Sequence, residues 1–479
     1  MNAVLSFAKT TLVLVGLWGA LALVAFMSGV RPRSSSAASP ASPDGGLADA
    51  AAGSDGGVLD AGTFELDLGA SVAAPPTTAT LASALPRLHV CDEPALAPSL
   101  SILDVVGDAR REIVIGCGAS WEIVARPSVG DLPNVATDGD WMRVAHVVAP
   151  ATRGDRSPLA SGAAAIDLDG DGDLDTLFPF ARVGAGGSTS GGGVFALTRA
   201  TSGALEAPRS LAPIAAVAAL SITLPSGAGL VVLDRGSPLT RAPSEAWMFT
   251  LGGSPSRIAA PHAGTGATGL GVVDVDRDGK LDVLVASSDD SRLDILYGDD
   301  ASRFTRARTL TVPSATDIAI GDLDADGAPD ALVVGTTLSR LLAHAGHDPA
   351  LVPIEGGPAD LRDAAILDVD HDGRGDIVGW SHPRLVVLAG RADGTYETRT
   401  FVELALGETG PRRSALADLD GDGNPEVVLL TVSEDGPRRM LDLVIVPSSE
   451  RGLVRIGAAR PLPDAPLMLT IALPDPNAP

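Results

Sequence analysis

The sequence predicts an all-β chain built from seven copies of one four-stranded unit, and three observations carry that expectation. A nine-residue acidic pattern, DxDxDGxxD, recurs at near-regular intervals. Short apolar runs rich in branched residues follow each copy, as strands do after turns. With 55 glycines and 36 prolines in 479 residues, the chain has the turns that many short strands need and few places for long helices.

The acidic pattern comes first because it sets the register. Its first copy places carboxylates at Asp167, Asp169, Asp171 and Asp175, with Gly172 between the last two. The second has Asp274, Asp276, Asp278 and Asp282; the third has Asp322, Asp324, Asp326 and Asp330. The fourth has Asp368, Asp370, Asp372 and Asp376, and the fifth has Asp418, Asp420, Asp422 and Glu426. Alternating carboxylates converge on one hard cation when the chain turns sharply at a glycine free to take φ > 0. Position seven is Asp173, Lys280, Ala328, Arg374 or Asn424, a scatter that fits a ligand supplied by the backbone carbonyl. Oxygen-only ligation with several carboxylates favours Ca²⁺ over softer metals. An EF-hand fails, because position twelve is Phe178, Val285, Val333, Gly379 or Leu429 where that loop needs a bidentate carboxylate.

The first Asp of each copy falls at 167, 274, 322, 368 and 418, so one gap is twice the others. A copy without carboxylates fills it, with Ser221, Thr223 and Pro225 at the Asp positions and the run Leu230–Leu233 behind them. An earlier degenerate copy starts at Asp104 (DVVGDARRE) and is followed by Ile113–Ile115. Three residues before the reference stands Ser101, Ala164, Ala218, Gly271, Ala319, Ala365 or Ala415, always small. One residue further on is Ile102, Ala165, Ala219, Val272, Ile320, Ile366 or Leu416, always apolar. A recurrent small side chain suggests equivalent strands crowding around an axis. Further strands follow in each unit, such as Arg292–Tyr297 and Arg384–Ala389. Four short strands in about 50 residues match one blade of a β-propeller.

These residues carry a resemblance. From about Pro98 to Gly457 the chain resembles the FG-GAP/VCBS repeat family, the integrin-α-like β-propellers, with the DxDxDGxxD loops as the most specific marker. The resemblance implies that each loop joins the first two strands of a blade on one face of the disc. It also implies a cell-surface or secreted binding module. The chain departs from the integrin pattern in lacking a clear Phe-Gly before each loop, and its first and third units have lost most metal ligands.

The organisation expected is a signal anchor or signal peptide over 1–30, a flexible linker over 31–86 and a propeller over 87–479. Thr10–Val30 is an uncharged apolar run of the ~20 residues that span a bilayer. Arg31 and Arg33 just behind it fit a cleavage region poorly, which favours a retained anchor. The Ala, Ser, Gly, Asp and Pro mixture that follows lacks the apolar content to offset ordering entropy; Thr63–Leu68 alternates and offers one stray strand. Cys91 and Cys117 stand either as a disulfide in an exported domain or as two separate thiols. The propeller is expected to have seven blades. The alternative is eight, with Leu467–Leu473 as an inner strand completed by N-terminal strands around Thr63–Leu68 and Leu85–Val90.

The net charge of −25 sits largely in the five loops, where each bound Ca²⁺ would offset two charges. No basic patch is present to neutralise phosphates, which argues against nucleic acid. A search for chemistry finds no GxSxG elbow and no HExxH. Gly264–Gly269 matches GxGxxG but precedes a strand-like run. His344 and His347 read as surface residues, and Gly184–Gly193 as a flexible loop. The function expected is therefore a surface-anchored or secreted Ca²⁺-binding module for a protein or glycan ligand in the cell envelope or outside the cell, and not an enzyme. A propeller lectin and a propeller-borne enzyme acting on polysaccharide are the alternatives. Trp121, Trp141, Trp247 and Trp380 fall at unmatched places, unlike the repeated aromatic that sugar stacking needs.

Overall fold

The computed structural model describes residues 88–446 and 469–473, apart from 95, 106–109, 127–140, 151–156, 169, 185–187, 200–205, 225–226, 237–241, 251–255, 258–264, 300–303, 345–348, 370–371, 383, 404–410, 420–424 and 436. The expected N-terminal span, the linker, Thr63–Leu68 and the chain at Leu453–Ile456 lie outside the described residues. No helix among the described residues is long and apolar enough to cross a membrane.

The described residues form seven sheets, each one blade, antiparallel throughout except for one added C-terminal strand. The innermost strands are Ser99–Leu103, Ala164–Ile166, Ala218–Leu224, Ala267–Val273, Asp317–Gly321, Arg362–Leu367 and Arg413–Ala417. Each touches the next, and the seventh touches the first, so the ring closes with seven blades. The recurrent small residues all lie on these strands. Crowding is explicit at Gly271, where an added Cβ would stand 2.8 Å from Ile318 Cγ2 of the next blade.

The second strand of each blade is the most buried. Asp282–Ser287 and Asp330–Val334 are buried along their whole length, because both faces of a blade are covered by neighbours. That is why these strands read as continuous apolar runs rather than alternating ones. The core is accordingly a set of interblade layers. Between blades one and two, Trp121 packs edge-on to Phe178 at 5.2 Å and donates its indole N–H to Ser161 O at 2.8 Å. Trp380 is buried between blades six and seven.

Closure follows a different route from the eight-blade alternative. Leu88–Asp92 pairs antiparallel with Arg438–Val446 as the outer strand of blade seven. Leu469–Ala472 runs parallel to Met142–Val148 as a fifth, outermost strand of blade one. The apolar C-terminal run is thus an edge cover, since a strand is specified by open amide groups as much as by its own sequence. Cys91 and Cys117 form a disulfide with Cα atoms 6.4 Å apart, joining the outer strand of blade seven to blade one. Glu93, next along, is held by both Arg412 and Arg439.

Two expectations are corrected here. Ser221 and Thr223 do not sit in a loop: Ala218–Leu224 pairs residue by residue with Gly227–Asp234 up to Leu224 opposite Gly227. The blade-three connection is therefore a short hairpin. The glycine-rich stretch in blade two is not all loop either, because Gly191, Gly192 and Gly193 belong to the strand Thr189–Leu197. A Cβ on Gly192 would lie 2.1 Å from Phe180 O, so close backbone approach explains the glycine. Ala267–Val273 is a strand, which removes the helix that a dinucleotide-binding reading of Gly264–Gly269 requires.

Candidate metal centre

The acidic loops leave the inner strands and return as the second strands, so the repeat of blades brings them to one face. Four of them fold alike locally. In blade four, Asp274 accepts the amide N–H of Asp278 at 3.1 Å and of Gly279 at 2.8 Å. Asp278 in turn accepts the N–H of Lys280 at 2.9 Å. Blade five repeats this with Asp322 accepting from Asp326 and Gly327, and Asp326 from Ala328. Blade six does so with Asp368 and Asp372; blade two differs in one amide, Asp167 accepting from Gly170 and Gly172 while Asp171 accepts from Asp173. Gly279 and Gly327 have φ of +85° and +83°, and a Cβ on either would meet nothing within 4 Å. The glycine is there for the backbone angle rather than for space.

The last carboxylate of the pattern opens the second strand and is buried. Asp282 accepts N–H groups from Val275 at 3.0 Å and from Gly298, beyond the third strand, at 2.8 Å. Asp330 does the same with Leu323 and Ala343, Asp376 with Val369 and Gly390, and Asp175 with Leu168 and Arg199. Glu426 accepts from Leu419. Blade one departs less than expected: Asp104, Asp108 and Glu112 remain, with Val106 at position three, and Glu112 accepts the N–H of Val105 at 2.7 Å. The sequence reading took position nine as a ligand and missed its second task of fastening the loop to the blade. Its retention at Glu112 was the available signal.

Carboxylate oxygens of Asp274, Asp276 and Asp282 lie within 4.8 Å of one another, as do those of Asp322, Asp324 and Asp330. One oxygen of Asp276 is buried without a hydrogen-bond partner, and the other is 3.7 Å from Arg306. Burial, then the charges of Asp278 and Asp274, raise the Asp276 carboxyl above the usual range. Burial likewise pushes Asp282 up to about 7 and Asp330 up to about 6, despite their amide partners. Acids crowded and desolvated in this way favour a cation that neutralises them. The donor set, hard oxygens with one buried oxygen unpartnered, fits Ca²⁺.

The position-five carboxylates are not part of either convergent set. Asp278 faces Lys280 Nζ at 3.2 Å, Asp372 faces Arg374 at 3.1 Å, and Asp326 is bonded by Arg277 of the preceding blade. That guanidinium holds Asp326 below the usual carboxylate range. Asp173 and Asp418 are partly buried; Asp169, Asp370, Asp420, Asp422 and Asn424 lie outside the described residues. His344 is exposed, as expected, and His347 lies outside the described residues.

A ring of seven blades with acidic loops between first and second strands defines the class: a loop-bearing β-propeller. Residues 274–333 and 368–429 match the model of the FG-GAP-like repeat family. The chain is a seven-bladed β-propeller that carries FG-GAP-like repeats over those residues. No curated protein matches it. Among solved structures it is similar to an Agrocybe aegerita lectin described as recognising non-reducing terminal N-acetylglucosamine, at 16% identity over 72% of this chain and 80% of that one, with a TM-score of 0.35. It is also similar to the Dos1 propeller, at 11% identity over 70% and 75% with a TM-score of 0.42. A third is BBS1N in complex with ARL6DN, at 9% identity over 78% and 99% with a TM-score of 0.42.

Proposed function

We propose that this propeller is a binding module of the cell surface or exterior, with Ca²⁺ serving a structural role in its loops. The observation that carries the metal is the buried, unpartnered oxygen of Asp276 among the converging carboxylates of Asp274 and Asp282. In blade four, Asp274, Asp276 and Asp282 would hold the ion; in blade five, Asp322, Asp324 and Asp330 would. Bound Ca²⁺ supplies positive charge where like charges otherwise repel, and so stiffens the loop between two strands. The disulfide between Cys91 and Cys117 supports an oxidising compartment, which agrees with weak sites that fill only where Ca²⁺ is abundant.

A protein partner is favoured over a sugar. Trp121 and Trp380 are buried in interblade layers, and Trp141 and Trp247 are packed against such layers. Trp141 and Trp247 are only partly exposed, which weighs against a freely open ring for stacking. We read the chain as a non-enzyme, since no nucleophile and base are brought together by the motifs sought above and fold alone does not supply chemistry.

Calorimetry with Ca²⁺, Mg²⁺ and Zn²⁺ tests the metal. Dissociation constants of ~10⁻⁴–10⁻³ M for Ca²⁺ are expected, as in extracellular modules. Absence of binding at millimolar Ca²⁺, or preference for Zn²⁺, refutes it. A pull-down with and without Ca²⁺, run beside a glycan array, separates a protein partner from a sugar.

A further inference from the structure

Three of the position-five carboxylates, Asp278, Asp326 and Asp372, share an arrangement that the acidic pattern alone does not contain. Each has one oxygen capping its own loop, on the N–H of Lys280, Ala328 or Arg374. Each has its other oxygen facing a basic side chain: Lys280, Arg277 or Arg374. In two loops that base is the position-seven residue of the same loop. In blade five position seven is Ala328, which cannot serve. There the base comes across the blade boundary from Arg277, the fourth residue of the blade-four loop, which adopts φ of +54°.

We propose that Arg277 is an internal counter-ion for the blade-five loop, and that it sets the Ca²⁺ affinity of Asp322, Asp324 and Asp330 by withholding Asp326. The inference rests on the metal reading above. Without Ca²⁺ the guanidinium offsets part of the repulsion among four carboxylates, which favours the empty loop. With Ca²⁺, Asp326 completes the ligand set only by leaving Arg277, and the cationic side chain remains beside a divalent ion. Both effects oppose loading. A unit charge several ångströms from a divalent ion at a solvated surface changes affinity by ~3–10-fold. Arg277 also ties two loops together, so loading of blade five releases a positive charge into the blade-four loop.

The test is Ca²⁺ titration of the full chain by calorimetry in four forms: wild type, Arg277→Gln, Arg277→Lys and Arg277→Gln with Asp324→Ala. Melting in chelator is measured alongside. Arg277→Gln is expected to tighten one class of site by ~3–10-fold and to lower the melting temperature in chelator, while Arg277→Lys stays near wild type. The tightened class must vanish when Asp324→Ala is added, which assigns it to blade five. If wild type binds but Arg277→Gln binds equally or more weakly, the counter-ion role is overturned and the metal reading stands. If the gain survives Asp324→Ala, the assignment to blade five is overturned. If wild type itself binds no Ca²⁺, both readings fall together.

Discussion

Asp376 separates the two tasks of the last loop carboxylate. It is buried, and it accepts amide N–H groups from Val369 at 2.9 Å and from Gly390 at 2.8 Å. Hydrogen bonds to a charged group contribute about 1.5–3 kcal/mol each, net of solvation, so Asp376→Ala removes about 3–6 kcal/mol on that scale. Burial works against the carboxylate: the equivalent Asp330 is pushed up to about 6 although it has the same two partners. The lower end, about 3 kcal/mol, is therefore the expectation. For a domain of roughly 380 residues, an unfolding entropy of about 2.1 cal/mol/K per residue converts this into about 4 °C. Scanning calorimetry in chelator and in millimolar Ca²⁺ is the assay, with Asp324→Ala and Glu112→Ala beside it. Asp376→Ala and Glu112→Ala should lower the melting temperature in chelator, where no ligand role operates. Asp324→Ala, whose side chain is exposed, should cost stability only in Ca²⁺. If Asp376→Ala is neutral in chelator and costly in Ca²⁺, the residue is a ligand and not a fastener.

Two other outcomes follow from groups away from the loops. Asp317, at the start of the blade-five inner strand, is pushed up to about 6 by burial and by Asp363; its folded value lies above the unfolded one, so its contribution to stability is present below about pH 4 and lost as pH rises to about 6. Asp317→Asn should match wild type near pH 3.5 and exceed it by about 1–2 kcal/mol near pH 7.5, after allowance for its partial exposure; equal stability differences at both pH values refute this. Cys91→Ser opens a cross-link with a sequence separation of 26, for which chain entropy gives about 3.5 kcal/mol. Non-reducing peptide mapping should find the Cys91–Cys117 pair, and reductant should lower the melting temperature of wild type but not of Cys91→Ser.

The fold was legible wherever a steric or ligand demand repeats at fixed spacing. Small residues such as Ala319 and Gly271 mark the inner strands because bulk does not fit near the axis, and that demand leaves a periodic trace. The acidic loops were legible for the same reason. What was not legible is what depends on backbone pairing between distant segments. Leu467–Leu473 and Leu85–Val90 both read as candidate strands of an extra blade, and strands do occur there. Their partners, on blades one and seven, are chosen by which edges the ring leaves open, and an open amide edge has no residue signature. Blade three misled for a related reason. Its spacing and the Leu230–Leu233 run were those of a normal unit, yet Ser221 and Thr223 continue the strand. Without carboxylates nothing holds a nine-residue loop, and a short hairpin replaces it.

The same comparison shows how the ligand set and the blade depend on each other. In blades four and five the buried acid, Asp282 or Asp330, is fixed by amides from two sides before any ion arrives. One of those amides lies just beyond the third strand, so the position of this carboxylate reports that the blade has formed. The remaining convergent acids, Asp274 and Asp276 or Asp322 and Asp324, belong to the loop itself. A cation bridging the two groups therefore ties a loop to a completed blade, and it binds the unfolded chain poorly because the fixed member is missing there. In blade one Val106 replaces the position-three acid and Ala109 the loop glycine, yet Glu112 still accepts the amide of Val105. The fastening is thus the element that every acidic-loop blade and blade one share, and the candidate ion site is built on top of it.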